Sequence, residues 1–165
     1  MTGEVWENFL TVLQQTLDLY RALLRLSIHK RDVLVAADAS MLERMTQQEE
    51  VLVLQVARME NLRKPLTAQL AREYGLAPDD LTISKACELA PGPVSDRLTA
   101  IRKEFETVSD ELVPLNRSNA RLIEQALTFV NYNVNLLARN TAGTTYAPQG
   151  KTSQGAARVM IDQKA

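Results

Sequence analysis

Cysteine occurs once in the 165 residues, at Cys87, so the chain cannot close an internal disulfide. Aromatic residues make up only 5%, with 6 Gly and 6 Pro. That scarcity disfavours a sandwich or barrel, which needs aromatic-rich strands and many turns. Histidine also occurs once, at His29. A di-iron bundle needs Glu-x-x-His pairs from two helices, and a zinc site needs more strong ligands than His29 and Cys87 supply. No excess of one charge is present either: 19 Lys+Arg face 20 Asp+Glu, for a net charge of -1. A nucleic-acid-binding domain usually carries a basic face, because phosphate contacts supply most of its affinity. Charges break the apolar runs every few residues, so no segment is long enough to cross a membrane. Residues 1–8 carry Glu4 and Glu7 and lack the basic start and apolar core of a signal peptide. Together these features point to the cytoplasm. No glycine loop for phosphate and no nucleophile elbow is present, so neither an enzyme nor a bound cofactor is expected.

What is present is helical periodicity in a chain that is 45% apolar. From about Gly3 to Ala36, Trp6, Leu10, Leu13, Leu17, Tyr20 and Leu24 recur in steps of four and three. Val5, Phe9, Val12, Leu19, Leu23 and Leu26 run beside them and widen the stripe, which implies burial against more than one helix. Asp38 and Ser40 are candidate caps for a second helix through Leu42, Met45, Leu52, Val56, Met59, Leu66 and Leu70. Pro65 should kink that helix or open a new one, and Gly75 should end it. Thr82 can cap a short helix through Leu89. Asp79 and Asp80 read more simply as capping and dipole compensation at that helix start than as a metal site.

The third long helix has the cleanest spacing: Val94, Leu98, Ile101, Phe105, Val108, Leu112 and Leu115, then Leu122, Ala126, Phe129 and Leu136. Ile123, Leu127, Val130, Val134 and Leu137 lie alongside. Pro114 should bend it. Asn116 and Asn119 follow that proline, with Asn119 on the apolar seam. They read either as a pair that fixes helix register or as polar markers in a partner-binding groove. After about Arg139 the composition turns to Gly, Thr, Ser and Gln, with one apolar cluster at Val159, Met160 and Ile161. Such a segment buries too little surface to offset its ordering entropy.

The expected fold is therefore all-α: an elongated antiparallel bundle of three long helices with a short connecting helix, spanning residues 1–139, and a mobile tail at 140–165. A helix of more than about 30 residues is ~45 Å long. Tyr146 is the obvious docking anchor in the tail, since an aromatic side chain is large and costs little entropy to immobilise.

The stretch Leu115-Asn116-Arg117-Ser118-Asn119-Ala120-Arg121-Leu122-Ile123, followed by a helix and then Thr145-Tyr146-Ala147-Pro148-Gln149-Gly150, resembles the FlgN family of flagellar export chaperones. The family shows a similar Leu-Asn-x-x-Asn stretch and a tail Tyr with Gly four residues on. The positions of Pro114 and Pro65 have no counterpart in that pattern. The resemblance implies a chaperone that binds the C-terminal helices of hook-filament junction proteins, prevents their premature polymerisation and delivers them to the export gate. By the same resemblance the client would lie along Asn116, Asn119, Leu122, Ile123, Val130, Val134 and Leu137 and against Val159, Met160 and Ile161. Tyr146 would dock on the cytoplasmic components of the export apparatus. The competing reading is a self-associating adaptor or structural coiled coil with no export client, and a homodimer is compatible with either. An enzyme is a distant third, with Asp79, Asp80, Cys87 and His29 its only candidates.

Overall fold

A computed structural model describes residues 2–142; for Thr2 and for residues 140–142 it describes the backbone alone. Four α-helices and one 3-10 turn follow one another among the described residues: α1 (Thr2–Val35), α2 (Ala39–Glu73), the turn Pro78–Asp80, α3 (Ile83–Leu89) and α4 (Gly92–Ala142). These residues fall into two compact units, Met1–Ala126 and a second beginning at Leu127. No described helix is long and apolar enough to cross a membrane.

The helix ends are set by local chemistry. Asp38 caps α2, its carboxylate accepting from the Met41 N–H at 3.0 Å, while Ser40 lies inside the helix. Only three residues separate α1 from α2, so the two must be antiparallel neighbours. Gly75, with φ +67°, terminates α2. The Leu76 N–H donates to the Ala71 carbonyl at 2.8 Å and the Gly75 N–H to the Arg72 carbonyl at 3.3 Å. This is the six-to-one and five-to-two pairing of a Schellman end, and Leu76 tucks back against the core as that motif requires. Thr82 caps α3 by accepting from the Lys85 N–H at 3.1 Å. Asp79 and Asp80, expected at that cap, instead form the 3-10 turn before it. Both internal prolines are accommodated: α2 runs through Pro65 and α4 through Pro114 as single helices, so Pro65 does not open a new one.

Within the first unit, cross-helix bonds give the directions. Arg97 meets Glu7, Asn116 meets Ser27 and Asn119 meets Ser27 at sequence separations of 90, 89 and 92. A near-constant separation means that α1 and α4 run parallel. On α2, Glu49 pairs with Lys30, whereas Gln55, Arg58 and Met59 lie beside Gln15, Asp18 and Leu19, so α2 runs the other way. The order is up, down, up.

The core sits where α1 begins, α2 ends and α4 begins. Trp6, Phe9, Leu10, Leu13 and Leu17 pack there against Leu70, Ala71, Leu98 and Ile101. Leu81 and Ala86 close that end, which explains why so short a helix as α3 persists: its apolar face is buried, not its propensity high. Trp6 makes an edge contact with Phe9 at 6.1 Å between ring centroids and a tilted one with Tyr74 at 6.2 Å. Tyr20 and Phe105 meet edge to face at 5.6 Å farther along the bundle.

Candidate functional site

The catalytic and metal candidates are scattered. His29 is exposed on α1, Cys87 is half-buried against the core, and Asp79 and Asp80 are exposed on the turn. Among the described residues no three of His, Cys, Asp and Glu converge on a point that could hold a metal. The charged side chains that meet form ion pairs, several of them within one helix. Glu60 takes a two-pronged bond from Arg63, at 2.7 and 2.8 Å, and the bond holds its carboxyl below the usual carboxylate range and raises the arginine in turn. Arg63 also donates to Thr67, whose hydroxyl bonds the Arg63 carbonyl. These are helix-stabilising devices.

Both asparagines bond to α1, Asn119 from the interior and Asn116 from an exposed position. Asn119 is 4% exposed and its Nδ2 donates to the Ser27 carbonyl at 2.9 Å. Ser27, 1% exposed, donates its hydroxyl to Asn116 Oδ1 at 2.9 Å. The structure thus joins Ser27, which the periodicity did not single out, to the Asn-x-x-Asn stretch; of the two readings of that stretch, the bonds favour register. Leu122 and Ile123 follow half-buried.

Beyond Ala126 the apolar side chains are bare. Leu127, Phe129, Val130, Tyr132, Val134, Leu136 and Leu137 are all 45–67% exposed. Between Leu127 and Arg139 the only charged side chain is Arg139 itself. A helical stretch this apolar and this uncharged is what a partner-binding face looks like, because isolated exposed apolar residues are ordinary but a contiguous set is not. Of these, Val130, Val134 and Leu137 were expected from the sequence. Leu127, Phe129, Tyr132 and Leu136 join them, and the signal that could have found them is the missing charge. Val159, Met160, Ile161 and Tyr146 lie outside the described residues.

A second apolar region lies in the first unit. Ala22 and Leu26 of α1 and Val51 and Leu52 of α2 line a groove of about 540 Å³, rimmed by Arg25, His29, Gln48 and Gln55. Val51 is 54% exposed there. Charged Arg25 stands on the groove's rim, whereas the stretch after Leu127 carries no charge before Arg139.

No curated protein and no solved structure matches the chain. The profile of the family described as FlgN protein matches residues 1–154. That match spans both units and nearly the whole chain, and with the helical bundle and the bare apolar stretch in view it settles the assignment: the chain belongs to the FlgN family of flagellar export chaperones.

Proposed function

We propose that this chaperone works in the cytoplasm, where it binds the C-terminal helices of hook-filament junction proteins, keeps them from polymerising and delivers them to the export gate. The observation that carries the reading is the run of seven large apolar side chains from Leu127 to Leu137, each at least 45% exposed. An amphipathic client helix laid against them would bury apolar surface on both partners, by the helix-in-groove mode in which anchors recur every three or four residues. Leu127, Val130, Val134 and Leu137 have that spacing. Leu122 and Ile123 would extend the contact toward the bundle, and Val159, Met160 and Ile161 would add to it from the tail. Asn116 and Asn119 come earlier on α4; with Asn116 Oδ1 and Asn119 Nδ2 engaged by Ser27, they would contribute through position more than through contact.

No reaction is required of such a protein. A net charge of -1 leaves apolar burial, not long-range attraction, as the source of affinity. Tyr146 would dock on the export apparatus, so Tyr146→Ala should leave client binding unchanged while weakening that docking.

Titration calorimetry of the chain against peptides from the C-terminal ends of the hook-filament junction proteins tests the proposal. Binding near micromolar, about -8 kcal/mol, is expected. It should carry a negative heat-capacity change, the mark of apolar burial. The same bare face would also suit a second copy of the chain. No heat with either peptide, together with a stable homodimer in sedimentation, would replace the chaperone reading with self-association.

A further inference from the structure

Helix α4 has a weak point at Pro114, where the missing N–H leaves the Asp110 carbonyl without its helical partner and the ring crowds the preceding turn. Apolar packing also thins there. Leu112 is the last buried apolar side chain of α4 among the described residues, and after it the one buried residue is Asn119. The repeating stripe cannot by itself say how the helix is turned past this point, since half-buried Leu115, Leu122 and Ile123 tolerate small rotations.

The polar bonds can. Asn119 donates to the Ser27 carbonyl and Ser27 donates to Asn116, so one serine of α1 is gripped from two successive turns of α4. Flipping the Asn119 amide would set oxygen against oxygen, so its orientation is fixed. The Asn119 Oδ1 is left buried with no partner among the described residues. A buried acceptor without a donor destabilises, and a leucine at 119 would avoid it. A single buried asparagine on an apolar seam is the best-attested device for choosing one helix register at the expense of stability.

We infer that Ser27, Asn116 and Asn119 form a lock that fixes the rotation and register of α4 on α1 beyond Pro114, and that all three are positioning residues for the client face. The functional half rests on the chaperone reading above: a client helix reaching Leu122 and Ile123 meets a surface whose phase the lock has settled. The lock itself does not depend on that reading.

The test is double electron–electron resonance on the full chain without client, with spin labels at exposed Arg31 of α1 and Gln125 of α4. A control pair at Asn8 and Lys103 reads the other end of the bundle. Asn119→Leu should melt at or above the wild-type temperature. It should widen the Arg31–Gln125 distance distribution about twofold, since the register device is gone, and leave the control pair unchanged. Ser27→Ala, which removes only the hydroxyl arm, should widen the same distribution less, and it decides the matter if Asn119→Leu fails to fold. An unchanged Arg31–Gln125 width, or equal widening at the control pair, would overturn the lock. In the client titration, Asn119→Leu should weaken binding about threefold through lost preorganisation. Unchanged affinity alongside a widened distribution would overturn only the link to the client.

Discussion

One helix holds two stretches with the same apolar rhythm and opposite fates. From Val94 to Leu112, α4 places Val94, Leu98, Ile101, Val108 and Leu112 in the interior, each at most 9% exposed. From Leu127 to Leu137 the steps of three and four continue, yet no large apolar side chain is less than 45% exposed. The difference lies in what surrounds the stripe. The buried stretch carries eight charged residues on its other faces, among them Arg97, which reaches Glu7, and Glu104, which pairs with Arg21. The bare stretch has none, and the next charge is Arg139. A stripe flanked by charge declares which side faces water; with no charge between Leu127 and Leu137, that stretch makes no such declaration.

The largest effect should come from the buried side of this contrast. Trp6→Ala removes a fully buried side chain from the cluster that receives Leu98. It should cost about 3–5 kcal/mol, read by denaturant unfolding. Its indole N–H has no acceptor among the described residues, so nearly all of that loss is packing. The bare side should behave oppositely. Val130→Ala, Val134→Ala and Leu137→Ala together should change stability by no more than ~0.5 kcal/mol, because exposed side chains lose little on truncation and alanine favours the helix. Client affinity should drop at least tenfold, about 1.4 kcal/mol, in calorimetry. A large stability loss in that triple variant would mean that the face is already covered within the free chain.

The smallest effect belongs to the surface ion pairs. Because Glu60 titrates below the ordinary carboxylate range when folded, its contribution is present at neutral pH and lost as pH falls through that lowered value. Glu60→Gln should therefore cost no more than ~0.5 kcal/mol at pH 7, given partial exposure. The gap from wild type should close in strong acid, as followed by thermal melts across pH.

Much of the bundle was legible from residue spacing. The Trp6–Leu17 series, the Asp38 and Thr82 caps and the Gly75 stop are all local signals, and the helices begin and end within a few residues of where those signals fall. Ser40 and the Asp79-Asp80 pair show the limit of such reading: several residues near a helix start can cap it, and only backbone geometry chooses among them. At Pro65 one of the two expected outcomes is excluded, since one lost bond in a long, packed helix does not start a new one. Ser27 was invisible because nothing in a periodicity marks a small polar residue whose partner lies 89 positions away. The bare face was half visible. Its spacing could be read, but burial is a property of neighbours, and periodicity carries no information about whether a neighbour is there.

Hydrogen exchange of the full chain with and without the C-terminal helix peptide of a hook-filament junction protein would decide whether the stretch from Leu122 to Arg139 is where a client lands. Slowed exchange concentrated there, with the Trp6 end of the bundle unchanged, is the expected result. Unchanged exchange along that stretch, with slowing instead in the groove between α1 and α2, would contradict it and move the client site to the first unit.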